Sequence, residues 1–211
     1  METGSVTVYD LLAFGFSAAA YVPYVRGILK RTTLPTMSSW ISWLIMDTAI
    51  LVAALAKHEL PYQLTAYIVG CVVVIGTNLY VKASLGWTKL DSFCVGLVIL
   101  AAVLWSQSGD PNVAIVLSLT AMFVGSISMC INDWADPHRE SSLAWLCNLG
   151  GAIFGVCAIK NWTIAGALSP VFFLTLSIVF NIVIQRQWFD ARPNRFSNIP
   201  LFKLLDRLLM R

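Results

Sequence analysis

The chain has 211 residues, of which 58% are apolar and 12% are charged, and its formal net charge is +3. A soluble domain usually carries about 25% charged residues, so this composition cannot cover a water-soluble globule of this length. A soluble enzyme, a nucleic-acid-binding domain and a disordered chain are therefore disfavoured, and no cofactor is expected.

Seven apolar blocks follow one another along the chain, most of them near the ~20 residues of a membrane-spanning helix. Backbone polar groups in lipid must be bonded within their own segment, so the blocks predict helices. The fourth block is the shortest and weakest. In chain order the blocks are Val8–Ile28, Met37–Lys57, Pro61–Ala83, Leu90–Gln107, Asn112–Asn132, Glu140–Ala158 and Trp162–Ile184.

The basic residues predict an orientation. With seven spans, twelve of the fourteen Lys and Arg residues fall on one side, and only Lys57 and Lys160 fall on the other. The positive-inside rule then predicts an outside or lumenal N-terminus and a cytoplasmic C-terminus. The twelve are Arg26, Lys30, Arg31, Lys82, Lys89, Arg139, Arg186, Arg192, Arg195, Lys203, Arg207 and Arg211.

The two ends of the chain and its cysteines add little chemistry. Met1 to Asp10 has no basic region before its apolar stretch, which is not typical of a cleavable signal peptide. Residues 186–211 mix apolar and basic side chains, which predicts an amphipathic tail on the cytoplasmic membrane surface, with partner docking as the alternative. All five cysteines lie in apolar blocks and none forms C-x-x-C. They indicate buried small side chains rather than a metal site or a disulfide scaffold.

An internal repeat relates the second and sixth blocks. The segment LPTMSSWISWLIMD from Leu34 matches DPHRESSLAWLCNL from Asp136, so that Trp43 pairs with Trp145. Further along, Asn78 pairs with Asn181. Two three-helix units have the same orientation only if one helix lies between them. We therefore expect an all-α membrane protein in a 3+1+3 layout: a first repeat (1–83), a linker helix (84–111), a second repeat (112–185) and the tail. Parallel repeats are typical of transporters, with the substrate site at the repeat interface.

The segment YVPYVRGILKRTTLPTMSSW, from Tyr21 to Trp40, resembles the loop motif of PQ-loop proteins. It has a Pro followed by a polar residue, a basic stretch, and a Ser opening the next helix. Tyr24 stands in place of the motif Gln, and Gly125 stands where the second repeat would have its Pro. The resemblance implies the seven-helix fold shared by SWEET-like sugar transporters, PQ-loop amino-acid exporters and KDEL-type sorting receptors. One fold hosts several functions, so it implies no particular substrate.

Asp47 is the sharpest single signal in the sequence, because it falls near the middle of the second block. An ionisable group at bilayer depth is costly and marks a functional site by default. Three roles stay open for it: proton coupling, a structural hydrogen bond between helices, and direct contact with the substrate.

Asn78, Asn181, Trp43 and Trp145 are predicted at similar depth. Amides both donate to and accept from hydroxyls. In SWEET transporters Asn and Trp pairs serve the substrate, so the resemblance implies a neutral polar solute between these four residues. The alternative is that the Asn residues hold neighbouring helices together. Asn148 shares a helix face with Trp145 and is a further candidate for substrate binding.

Pro23 and Pro170 lie inside predicted helices and are candidates for hinges or gates. The sequence thus predicts a transporter of a small polar solute, sugar-like or amino-acid-like, with Asp47 as the proton-coupling candidate. The alternative is a ligand-binding receptor, sensor or sorting receptor on the same fold. The expected partners are the solute and the lipid bilayer, and a homo-oligomer stays open. Neither enzymatic activity nor a metal is expected.

Overall fold

The computed structural model of the protein describes residues 6–56, 61–82, 89–108 and 110–190, and over these ranges the chain is helical without β-strands. Each predicted apolar block corresponds to one helix. The tail prediction for residues 191–211 and the placement of Lys57 lie outside the described residues. The helices are α1 (Val8–Leu29), α2 (Met37–Ala56), α3 (Tyr62–Tyr80), α4 (Lys89–Ser108), α5 (Pro111–Ala135), α6 (Ser142–Cys157), α7 (Ile164–Gln185) and the short α8 (Gln187–Asp190).

Five of these helices, α1, α2, α3, α5 and α7, are long and apolar enough to cross a membrane. Large apolar side chains such as Val69, Phe123 and Ile182 are exposed on their outer faces, where water would disfavour them but lipid would not. These features fit a multi-pass membrane protein. Helix α6 has only 16 residues, about 24 Å at 1.5 Å per residue, and is shorter than a usual span.

Local capping sets where α6 starts. Pro137–Arg139 forms a single 3₁₀ turn after α5. Ser141 then caps α6, and its side-chain oxygen accepts a hydrogen bond from the backbone of Ala144, as Ser favours at this position. Glu140 therefore lies in the connection before α6. The sequence had predicted it as the first residue of the sixth block.

Six helices form a closed ring around one core: α1, α2, α3, α5, α6 and α7. Helix α3 lies between α1 and α2, and α7 lies between α5 and α6. The ring closes where α2 packs on α5 and where α1 packs on α6. Helix α4 lies outside the ring, against α5 and α2.

Helices α1 and α6 approach closely through glycine. A Cβ added to Gly151 would lie 3.0 Å from the backbone nitrogen of Ser17 and 3.2 Å from the carbonyl oxygen of Ala13. A Cβ on Gly155 would meet the Gln63 side chain of α3. This G-x-x-x-G face therefore lies inside the bundle, where small residues let neighbouring helices approach closely.

Candidate functional site

A cavity of about 70 Å³ lies inside the helix ring. Its wall includes Asp47, which lies midway along α2. Side chains from α1, α2, α3, α5, α6 and α7 all contribute to the wall. The lining residues are Ala20, Tyr21, Tyr24, Trp40, Trp43, Asp47, Tyr67, Cys71, Met122, Ala144, Trp145, Asn148, Phe173, Leu176 and Ser177.

Asp47 is the one acidic side chain among the described residues that line the cavity. It is 2% exposed, and its Oδ1 atom has no hydrogen-bond partner within the described part of the chain. No Lys, Arg or His belongs to this lining. A buried carboxylate without a cation or a full set of donors is costly. The site therefore holds a polar group that a proton or a ligand would satisfy.

The wall formed by α6 and α7 carries an amide–hydroxyl pair. Asn148 Nδ2 donates to Ser177 Oγ at 3.1 Å, which leaves the second amide hydrogen and the carbonyl oxygen of Asn148 for other partners. On the α3 side, Gln63 Nε2 donates to the Tyr67 hydroxyl at 2.7 Å. The cavity lining therefore offers polar groups from α3 as well as from α6 and α7.

Trp40, Trp43 and Trp145 in the cavity wall form an aromatic layer together with Phe180. The ring centroids of Trp40 and Trp43 are 5.2 Å apart, and those of Trp43 and Trp145 are 6.3 Å apart. Phe180 stacks on Trp145 at 4.6 Å. Trp43 is fixed further because its Nε1 donates to Ser126 Oγ at 3.1 Å. Edge-to-face packing of this kind is favourable and rigid.

A buried glutamate lies beyond the aromatic layer. Glu140 is 4% exposed and accepts two hydrogen bonds, from the Tyr24 hydroxyl to Oε1 and from Trp145 Nε1 to Oε2, each at 3.0 Å. Burial raises the pKa of Glu140 to about 7, although these two donors and the nearby Arg139 favour the charged form. Burial therefore makes Glu140 a weaker acid than an exposed glutamate, while its two hydrogen bonds join α1 to α6.

The connections beside Glu140 are joined by one main-chain hydrogen bond and by the Arg139 side chain. Leu34 N donates to the carbonyl oxygen of Arg139 at 2.8 Å, and the Arg139 guanidinium donates back to the Leu34 carbonyl oxygen at 2.9 and 3.2 Å. Arg139 Nε also lies 4.0 Å from Asp133 Oδ1. We call this the basic end of the bundle, because Arg26, Lys30, Arg31, Arg139 and Arg186 lie in its helix ends and connections.

The structure brings four of the sequence-predicted residues together. Asp47, Trp43, Trp145 and Asn148 all line the one cavity. Their roles there stay predictions.

Asn78 and Asn181 do not belong to the cavity lining. Asn181 Nδ2 donates to the backbone oxygens of Trp145 and Ser177, at 2.9 and 2.8 Å, so this amide joins α7 to α6. Asn78 is 1% exposed near the end of α3, and its Nδ2 has no hydrogen-bond partner among the described residues. Their substrate-binding role stays a prediction, and Asn181 has a helix-joining contact as well.

Pro23 and Pro170 lie inside α1 and α7 respectively. Pro23 directly precedes Tyr24, which reaches both the cavity wall and Glu140. A bend at this proline would therefore act on both places, while the hinge role itself stays a prediction.

Glu140, Ser177 and Phe173 were missed as candidates from the sequence. The Ser177 and Phe173 side chains are common in membrane helices and carry no pattern of their own. Glu140 had a usable signal, because an acid aligned within a Ser-Trp repeat beside an apolar block is unusual. Its partner Tyr24 stands in place of the motif Gln. The sequence shows this replacement but does not indicate the contact with Glu140.

The described residues contain no group of three or more His, Cys, Asp or Glu side chains that could hold a metal ion. Comparison of the chain with models of protein families, with curated proteins and with solved structures finds no match. The structure therefore defines only the class of protein. It is an all-helical fold that fits a multi-pass membrane protein and contains an internal cavity.

Proposed function

We propose that the protein is a membrane transporter for a small polar solute. It would work by alternating access between two triple-helix bundles, α1–α3 and α5–α7, with α4 as the linker helix. The observation that carries the proposal is the mid-depth cavity between the two bundles, with the buried and incompletely bonded Asp47 in its wall. Sites of this kind, at bilayer depth and at a repeat interface, are typical of transporters.

Helix neighbours support the proposed pair of repeats. If α1, α2 and α3 correspond to α5, α6 and α7, every ring contact has a counterpart: α1–α3 corresponds to α5–α7, and α2–α5 corresponds to α6–α1. Trp43 and Trp145, which pair in the sequence repeat, lie in edge-to-face contact inside the ring. Corresponding residues near a pseudo-two-fold axis are expected to meet in this way.

The basic end supplies the proposed gate. In this proposal the aromatic layer and the Tyr24–Glu140–Trp145 contact would close the cavity there, since both contain residues of each bundle. Rocking of the bundles would separate Tyr24 from Glu140 and Trp43 from Trp145. Pro23 and Pro170 are the proposed bending points. The positive-inside rule makes this end cytoplasmic in the proposal.

Asp47 is the proposed proton-coupling residue. The titratable groups that face it are Tyr21 from α1 and Tyr67 and Cys71 from α3, all uncharged in their ordinary protonated forms. The described walls from α5, α6 and α7 add no titratable side chain. A proton on Asp47 would therefore remove the only charge in the described lining, and its transfer would be coupled to solute exchange.

The decisive experiment is solute flux into liposomes that contain the purified protein. Candidate solutes are first found by thermal stability, because a ligand that binds only the folded state stabilises it. Asn148→Ala should weaken both the stabilisation and the flux, because it removes a polar group from the wall. Thr175→Val is the matched control, since Thr175 lies exposed on α7 and bonds only within its own helix.

The outcomes separate the two functions predicted from the sequence. Flux that Asn148→Ala reduces and Thr175→Val leaves unchanged supports the transporter. Binding without flux would overturn the transporter and favour a receptor. Proton coupling has its own test: Asp47→Asn that transports with an unchanged pH dependence would exclude it.

A further inference from the structure

The cavity wall has an unbalanced charge. Asp47 is acidic, and the described lining contains no basic side chain to neutralise it. The basic residues with described contacts lie at the ends of the bundle: Arg139 bonds the Leu34 carbonyl, and Lys160 lies 3.8 Å from Asp10. Asp47 therefore depends on what enters the cavity for its countercharge.

The rest of the wall is unusually rich in aromatic rings. Tyr21, Tyr24, Trp40, Trp43, Tyr67, Trp145 and Phe173 account for seven of the fifteen lining residues. Two ring pairs on different sides fix the walls: Tyr24–Trp40 and Tyr67–Phe173, each with centroids 5.0 Å apart. Aromatic faces attract cations through their quadrupole, and several rings around one site form the usual recognition cage for ammonium groups.

We propose that the solute of this cavity is a small organic cation, an ammonium compound without an acid group, held by the Asp47 carboxylate and the surrounding rings. This inference rests on the transport function proposed above and names its substrate class. The volume of about 70 Å³ admits a ligand of about five to seven non-hydrogen atoms, at about 10–15 Å³ for each water-sized position.

Other solute classes fit the charges less well. An amino acid brings a carboxylate that would face Asp47 with no cation in the described lining to bind it. A sugar is neutral and brings no countercharge, so its binding would need a proton on Asp47, whereas a cation pairs with the carboxylate directly. A cation and a proton each neutralise Asp47, but they cannot do so together. They would therefore occupy it in turn, which is the arrangement of an exchanger.

The test compares two probes of the same size and shape. Tetramethylammonium and tert-butanol have equal numbers of non-hydrogen atoms in a similar tetrahedral arrangement, and they differ in charge. Binding to the purified full-length protein is measured by calorimetry and by thermal stability. We expect tetramethylammonium to bind at least about tenfold more tightly than tert-butanol, from the charge pair and the ring contacts.

A variant pair assigns the binding to Asp47. Asp47→Asn keeps the shape of the side chain and removes its charge, and it should weaken tetramethylammonium binding at least about tenfold. Asp110→Asn is the control, because Asp110 is an exposed cap of α5 and Asn is an equally good cap. If Asp47→Asn does not fold, the two probes on the unmodified protein still decide.

Equal binding of the two probes, or cation binding that Asp47→Asn leaves intact, would overturn the inference. Liposome flux separates this failure from failure of the transport proposal. Flux of a neutral solute without tetramethylammonium binding would leave a transporter with another substrate. Tetramethylammonium binding without flux of any solute would leave a cation site in a protein that does not transport.

Discussion

Glu140→Gln should change how the stability of the protein depends on pH. Glu140 is buried, with Tyr24 and Trp145 donating to its two oxygens. The other charged groups that face it are Arg139 and Asp133. At the end of α7, Arg186 stacks over the Trp134 ring instead. Gln keeps the size and one acceptor of Glu140 but cannot titrate.

The size of the effect follows from the pKa of Glu140. Burial raises this pKa from its ordinary value of 4.5 to about 7, so the folded state holds the proton more tightly than the unfolded state does. The contribution to stability is complete below pH 4.5 and is lost as the pH rises to about 7. At about 1.4 kcal/mol for each pH unit, the loss is on the order of 3 kcal/mol. In Glu140→Gln this part of the decline should be missing, while the buried carboxyl group of Asp133 keeps its own contribution.

The assay is chemical or thermal unfolding of the purified protein in detergent, from pH values below 4.5 to values above 7. The unmodified protein should lose stability over this range, and Glu140→Gln should be the more stable of the two at the alkaline end. Asp136→Asn is the control, since Asp136 is exposed and caps the 3₁₀ turn through an acceptor that Asn retains. Parallel profiles for Glu140→Gln and the unmodified protein would show that Glu140 does not titrate in this range.

Three further predictions use the same unfolding assay. Tyr24→Phe removes a hydrogen-bond donor to the charged form of Glu140, so the pKa of Glu140 should rise above 7. The loss of stability should then move to higher pH. An unchanged midpoint of the stability profile against pH would refute the contact. Gly151→Ala should destabilise by about 1–3 kcal/mol, because its Cβ meets the α1 backbone. Gly76→Ala, with nothing within 4 Å, should instead stabilise by about 0.5–1 kcal/mol, and equal effects at both glycines would contradict the packing. Asn181→Ala should destabilise by about 1–3 kcal/mol through its lost bonds to α6, and it should do so without ligand; a change in ligand affinity alone would instead support its predicted binding role.

The helices were predictable because lipid leaves the chain few choices. Apolar blocks between polar breakers gave the elements within a few residues. The start of α6 was misplaced because Ser141 caps the helix after a 3₁₀ turn at Pro137. A sequence block records hydropathy and does not show where the backbone begins to bond as a helix.

The site was predictable where one residue stood out against its surroundings. Asp47 did so by its charge at mid-block, and Trp43, Trp145 and Asn148 did so through the repeat and helix spacing. Glu140 did not, because its importance comes from Tyr24, 116 residues away in the chain. Side-chain partners across a bundle depend on which helices are neighbours, and hydropathy does not encode that order.

The reciprocal contact between Leu34 and Arg139 has a consequence for how the protein tolerates mutation. Pro35 restricts Leu34 to extended conformations, which presents its amide and carbonyl groups outward. Its hydrogen bond to the Arg139 carbonyl uses main-chain atoms on both sides. Replacing the Leu34 side chain leaves that bond in place, so an alanine scan would pass over it. This main-chain bond between the two connections therefore does not depend on the Leu34 side chain, whereas the two return bonds need the guanidinium of Arg139.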